Sequence, residues 1–251
     1  REIIEVATFR AAHDSQQNQD DALGKQADSG LILRDNVYGT IEEDAIRRDF
    51  TINALYYCVK DHKIYDFTQG YEDIQARVIR MIGDPESRYR EDPVRMLRAI
   101  RFAAKLKFTI EPETEAPIRP LADLLQNIAP ARLFDETLKL FQSGHAVESY
   151  QLLKQYNLLH QLLPAVVKAV TDDTDDKVEP LILNGLKNTD RRISQRKSVT
   201  PAFLFVTMLW HPLQQRMNEI LQENRKMPKQ AALHAAANDI IGAQVKRTAI
   251  P

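Results

Sequence analysis

The chain has 251 residues, 43% hydrophobic and 27% charged, with a formal net charge of −1. That size and balance suit one or two packed domains, while 8 Gly and 12 Pro are too few for a loop-rich all-β protein. A single cysteine, Cys58, excludes a disulfide framework and zinc-ligand spacing, which suits a reducing, cytoplasmic setting. No apolar run approaches the ~18–20 residues of a membrane helix. The first residue is Arg rather than Met, so the natural start is expected to lie upstream.

Residues 1–10 are rich in β-branched side chains and predict a strand, with Ile3, Glu5, Ala7 and Phe9 on one face. Residues 11–30 turn polar and predict a long loop. Thr40 and Glu43 have capping-box spacing. Asp49, ahead of Phe50, Ile52, Ala54 and Leu55, predicts a second helix start, and residues 63–67 a short strand. Asp92-Pro93 predicts a helix opening, because Asp caps and Pro is tolerated at the first helical position. Further helices are predicted over 120–126, 130–142, 146–156, 181–186, 202–209, 213–224 and 230–241. The acidic run 172–176 is expected to be a solvated connection. The fold class expected is α+β, mostly α, with a few strands followed by a helical body.

Net charge alone says nothing of nucleic acid, but its distribution does. Residues 77–107 hold nine Lys or Arg against four acids, and a second cluster follows at Lys187, Arg191, Arg192, Arg196 and Lys197. Each is readable as a solvated helix face; together they point toward phosphate contacts. In the segment Arg47-Arg48-Asp49-Phe50-Thr51-Ile52-Asn53, a helix opened by Asp49 would place Asn53 one turn above it. Two arginines ahead of that helix start would make a phosphate or ribose corner; the plainer alternative is a cap with two surface charges. Along residues 92–105, Met96, Leu97, Ile100, Ala103 and Ala104 fall on one helical stripe, and Arg95, Arg98, Arg101 and Lys105 on the other side. The arginines repel one another, so something negative should face them. Asp92 and Arg95 can form a rigid donor–acceptor pair able to read a base edge, unless Asp92 only caps. Glu5, alternating with apolar residues, is either exposed, paired or a metal ligand.

In order and spacing, the strand IEVATFR, the segment RRDFTINALYY and the helix REDPVRMLRAIRFAAKL resemble the class II nucleotidyltransferases, the family of bacterial poly(A) polymerases and tRNA CCA-adding enzymes. The resemblance is clearest from residue 3 to residue 106 and most like the poly(A) branch. It implies a partial nucleotidyltransferase palm in 1–67, a helical neck with a nucleotide-reading helix in 68–137, and a helical body, an RNA-binding region, in 138–251. It implies template-independent addition of AMP from ATP to RNA 3′ ends by two-metal phosphoryl transfer with Mg²⁺. Glu5 matches the third metal-binding carboxylate and Asp49 an active-site position. Arg48 matches a nucleotide contact and Asn53 a ribose contact. Asp92 and Arg95 match the pair that reads the incoming base, and Arg98 and Arg101 the lining of the nucleotide pocket.

The family's G-G-x-V-R-D does not occur in these residues, and D-x-D occurs only within 172–176. One carboxylate cannot hold two adjacent divalent ions against their mutual repulsion. The chain by itself is therefore expected to be inactive. The alternatives are a tRNA CCA-adding enzyme and, outside enzymology, a helical RNA-binding module without catalysis.

Overall fold

A computed structural model describes residues 6–11 and 38–248. The chain divides into two compact units, Arg1–Glu91 with Thr109–Glu115 and Asp92–Phe108 with Ala116–Pro251. In chain order the first elements are helix α1 (Ile41–Ile46), strands β1 (Leu55–Cys58) and β2 (Lys63–Asp66), helix α2 (Gly70–Ala76), strand β3 (Val78–Ile79) and helix α3 (Pro85–Glu91). Helix α4 (Val94–Leu106), strand β4 (Thr109–Ile110), helix α5 (Pro112–Glu115) and a 3₁₀ turn at Ala122–Asn127 come next. Seven helices follow: α6 (Pro130–Phe141), α7 (Ala146–Gln155), α8 (Leu158–Leu162), α9 (Pro164–Thr171), α10 (Val178–Ser194), α11 (Pro201–Glu223) and α12 (Lys229–Thr248). The fold is mostly helical with a few short strands, as the residue pattern indicated. No helix among the described residues is long and apolar enough to cross a membrane.

In the first unit, α1 starts with the capping box: Glu43 N–H donates to Thr40 Oγ1 (3.2 Å) and Thr40 N–H to Glu43 Oε2 (2.6 Å). Strands β1 and β2 form an antiparallel hairpin in the register Leu55↔Asp66 to Cys58↔Lys63, and β3 pairs parallel with β4. The Asp66 carboxylate accepts from the N–H groups of Thr68, Gly70 and Tyr71 and so starts α2. Gly70 is required there, since a Cβ would overlap the Thr51 carbonyl.

Three expectations change in this unit. The strand predicted over 1–10 falls partly outside the described residues; residues 6–9 carry no regular structure, and Arg10 makes one isolated bridge to Tyr38. Asp49 opens no α-helix. Thr51 N–H donates to Arg80 O (3.1 Å) and Ile82 N–H to Asp49 O (2.9 Å), with Phe50 bridged to Met81. Residues 49–51 are thus extended against 80–82, and only a 3₁₀ turn, Thr51–Asn53, follows. Beyond it, Leu55 and its neighbours form β1 rather than continuing a helix.

In the second unit, the stripe predicted for α4 is its core face: Met96, Leu97 and Ile100 are fully buried, with Ala103 and Ala104 beside them. Each large side chain contributes about 1.5–3 kcal/mol of apolar burial. Val94 and Ala99 are buried too, so α4 is covered over more of its girth than a surface helix. Helix α4 begins one residue later than expected, with Pro93 at the cap position. The Asp190 carboxylate, which burial pushes upward despite its hydrogen bonds, accepts from Ala146 and Val147 N–H and caps α7. The two helices predicted over 202–224 are one, α11, which passes through Pro212. The missing N–H of Pro212 breaks one rung of that helix, while its buried ring packs in the core. Helix α10 extends well past both ends of the predicted 181–186. The 120–126 segment is 3₁₀ rather than α.

Candidate functional site

The Arg47-Arg48-Asp49 segment lies at the C-terminal end of α1, not ahead of a helix start. Its organiser is Asp44, which is almost fully buried. Asp44 Oδ1 accepts from Arg47 Nη2 (2.6 Å), Arg47 Nε (2.9 Å) and Arg10 N–H (3.1 Å). Its Oδ2 accepts from the Tyr56 hydroxyl (2.6 Å) and Arg48 Nη2 (3.0 Å). Burial alone would push this carboxyl up, but the hydrogen bonds from Tyr56, Arg47, the Arg10 backbone and Arg48 together hold it well below the usual carboxylate range. Two arginines on one buried carboxylate explain why both sit next to one another without repulsion dominating.

Arg48 is held on several sides. Its Nε also donates to the Tyr56 hydroxyl (3.0 Å), its Nη1 donates to Asn53 O (3.3 Å), and its guanidinium lies 5.3 Å from the Tyr56 ring centroid. Among the described residues one N–H on each terminal nitrogen has no partner, and the side chain is 40% exposed. Asp49, 8% exposed, accepts on Oδ1 from Phe50 N–H (2.9 Å) and Asn53 Nδ2 (3.2 Å). The predicted grouping of Arg48, Asp49 and Asn53 is therefore present, produced by a 3₁₀ turn instead of an α-helical one. Arg88 on α3 clamps the same segment from below, donating from Nη2 to Arg47 O (2.9 Å) and Arg48 O (2.6 Å).

The second group lies on α4. Asp92 divides its oxygens: Oδ1 accepts from Val94 N–H (3.3 Å), and Oδ2 from Arg132 Nη2 on α6 (2.7 Å). Arg95 is joined to Asp92 through its backbone, Arg95 N–H to Asp92 O (3.0 Å). Arg95, Arg98 and Arg101 are half-buried instead of lying on a solvated face. The Phe102 ring lies 4.7 Å from the Arg101 guanidinium carbon and 6.0 Å from that of Arg98. The third group, Lys187, Arg191, Arg192, Arg196 and Lys197, is exposed at the C-terminal end of α10 and just beyond.

Asp44, Tyr56, Arg88 and Arg132 were not singled out from sequence. Asp44 carried a usable signal, since it precedes Arg47 and Arg48 by three and four residues at the end of a helix. Arg132 and Arg88 act across about 40 residues of chain, which no local pattern reveals. Glu5 lies outside the described residues. Among the described residues no three His, Cys, Asp or Glu side chains are placed to hold a metal ion. The acidic run 172–176 is a connection, as expected, and Asp173 caps α10 through the N–H groups of Lys177 and Val178 (both 2.6 Å).

The sequence has relatives among known proteins. The family described as "Poly A polymerase head domain" matches residues 1–80, and that described as "Probable RNA and SrmB- binding site of polymerase A" matches residues 107–169. Poly(A) polymerase I of Haemophilus influenzae is 49% identical over all 251 residues, which are 55% of that protein. Poly(A) polymerase I of Salmonella typhimurium is 50% identical over 250 residues, 53% of its length. The chain thus spans about half the length of the curated relatives it matches. The CCA-adding enzyme of Bacillus subtilis is 42% identical over 161 residues, which are 64% of this chain and 38% of that one. A solved structure of a tRNA-processing enzyme with CTP aligns with 82% of this chain and 68% of its own at 22% identity, with a TM-score of 0.49. On the strength of the two family matches and of 49–50% identity to poly(A) polymerases along its whole length, the chain belongs to the tRNA nucleotidyltransferase/poly(A) polymerase family.

Proposed function

We propose that the complete protein is a polynucleotide adenylyltransferase, adding AMP from ATP to RNA 3′ ends without a template. The observation that carries this reading is the extent of the match: proteins named poly(A) polymerase I are 49–50% identical over the whole chain, whereas CCA-adding enzymes at 41–48% identity match over 112–161 residues of it. In this proposal Arg48 offers its remaining N–H groups to phosphate or ribose oxygens, and Asn53 fixes the ribose. Asp49 acts at the active site. Asp92 and Arg95 read the edge of the adenine, and Arg98 and Arg101 line the nucleotide pocket. The cations Lys187, Arg191, Arg192, Arg196 and Lys197 meet RNA phosphates.

A bound divalent ion such as Mg²⁺, with Glu5 as one proposed ligand, would supply Lewis-acid chemistry at the primer hydroxyl and the leaving pyrophosphate. The described residues do not assemble its ligands. What supports the reading is Arg48, whose guanidinium is fixed on Asp44 and the Tyr56 hydroxyl. A fixed donor needs no reorganisation when the charge on the transferring phosphoryl shifts. The chain by itself is accordingly expected to leave an RNA primer unextended with ATP and Mg²⁺.

Purified complete protein, given an RNA primer or tRNA with each nucleoside triphosphate, tests the reading. Long A-tails on RNA are expected. Addition of only C-C-A to tRNA would establish the CCA-adding alternative, and absence of any transfer the binding-module one. In the same protein, Arg95→Ala should weaken the preference for ATP over other nucleotides; unchanged preference removes Arg95 from base reading.

A further inference from the structure

We infer that the outward face of the α10–α11 hairpin is a single-stranded RNA platform in which Phe203 and Trp210 stack on bases while the α10 cations hold the backbone. This rests on the proposal that those cations meet RNA, and it adds a site outside the residues matched by either family description.

Cations first. Several arginines and lysines elsewhere meet carboxylates: Arg47 and Arg48 on Asp44, Arg80 on Asp73, Arg132 on Asp92, Lys154 on Glu179, Arg216 on Asp239. At the end of α10 the partners are neutral. Arg191 donates to Asn188 Oδ1 (2.6 Å), Arg192 to Ser198 O (3.1 Å) and Lys197 to Gln195 Oε1 (2.9 Å). Among the described residues no carboxylate comes within ion-pair distance of these five. Compensation of the α10 dipole accounts for Arg191 and Arg192 in the last turn. It does not account for Lys187, farther upstream, or for Arg196 and Lys197 beyond the helix end.

The aromatic side is on α11. Its inner face buries Leu204, Phe205, Met208 and Leu209, and Phe205 stacks on Phe134 with centroids 5.7 Å apart. Its outer face leaves Phe203 39%, Val206 58% and Trp210 41% exposed. At about 100° per residue these three fall within a stripe roughly 60° wide, nearly opposite the core face. An exposed apolar stripe of this kind marks a binding surface.

Both features lie on the same side of the hairpin. Gly185 of α10 packs directly on Thr207 of α11, where a Cβ would overlap the threonine methyl. The connection between the helices spans residues 195–200, so they run antiparallel. From that crossing point Phe203 lies about 6 Å toward the α10 C-terminus and Arg191 about 9 Å the same way, at about 1.5 Å per residue. On α10, Leu181 (44% exposed), Asn188 and Arg191 turn to the outer side of the hairpin, as do Phe203, Val206 and Trp210 on α11. A backbone-tracking row of cations beside exposed rings is the arrangement that binds single strands with little sequence preference. Charge complementarity selects RNA over an apolar protein partner, because five cations without acids would oppose burial in a neutral interface.

Trp210 is the chain's one tryptophan, so its fluorescence reports this face directly. Titration of the chain with oligoadenylate is expected to quench Trp210, and an RNA duplex of equal length to leave it unquenched. Phe203→Ala and Trp210→Ala are each expected to weaken oligoadenylate binding about tenfold at unchanged salt dependence, and Trp210→Tyr to restore most of it. Glutamine at the five cation positions is expected to flatten the salt dependence by about 0.7 in log–log slope per lost contact. If the glutamine variant leaves the slope unchanged, the RNA reading of the cations fails. If it flattens the slope while the alanine variants bind normally and Trp210 is not quenched, the stacking inference alone is overturned. Alanine variants that change association state by light scattering, with RNA affinity intact, would make the stripe a protein interface and overturn it as well. Thermal melting within a few degrees of the parent establishes that the exposed substitutions leave the fold in place.

Discussion

Two basic regions of this protein look alike as letters and differ as chemistry. Arg47 and Arg48 converge on one buried carboxylate, with the Tyr56 hydroxyl and ring as further supports. The α10 cations stand in solvent with neutral partners. A fixed guanidinium suits a ligand whose phosphate must sit in one place; loose cations suit a polyanion that slides. What separates the regions is the presence or absence of a buried acid, not the number of positive charges.

The largest expected effect comes from removing that acid. Asp44→Asn leaves two arginines and a tyrosine hydroxyl without their shared anion and is expected to cost about 2–3 kcal/mol in urea unfolding, near the low end for breaking a buried pair because the arginines are partly exposed. A loss within the error of the measurement breaks the comparison at its root. The same carboxylate gives a pH signature. Its folded pKa lies below its unfolded value, so its contribution is complete above the ordinary carboxylate range near 4 and is lost as pH falls below it. Stability should therefore decline in acid, and Asp44→Asn should make that decline shallower.

Arg132→Ala is expected to matter less. Its bridge to Asp92 is about half-exposed on the arginine side, which limits it to about 1 kcal/mol or less. A larger loss would mean that the α4–α6 junction depends on this pair. The smallest effect per residue belongs to α10: each glutamine at Lys187, Arg191, Arg192, Arg196 and Lys197 should change stability by about 0.5 kcal/mol or less, because among the described residues no ion pair is lost and only the dipole compensation of Arg191 and Arg192 goes with the charge. Marked destabilisation there would place those cations in the fold's own packing and erase the contrast.

Local patterns in the sequence were enough for the capping box at Thr40 and Glu43, the buried stripe of α4 and the helices α6 and α7, because a few adjacent residues decide each. They misled at Asp49, where pairing with residues 80–82 overrides the helix-start signal. They misled again at Pro212, where tertiary packing carries α11 through a residue that normally ends helices. For the site, the grouping of Arg48, Asp49 and Asn53 was visible as a motif, and the geometry then supplied Asp44 and Tyr56. Arg132 was out of reach, since a salt bridge spanning 40 residues leaves no trace in spacing.

The most direct measurement is a cross-comparison in the complete protein: KM for ATP and the salt dependence of oligoadenylate binding, each in Arg48→Ala and in the five-glutamine variant of α10. Arg48→Ala is predicted to raise KM for ATP and leave the RNA salt slope alone, and the glutamine variant to flatten the slope and leave KM for ATP alone. A variant that shifts both quantities together would contradict the division of labour between the two basic regions.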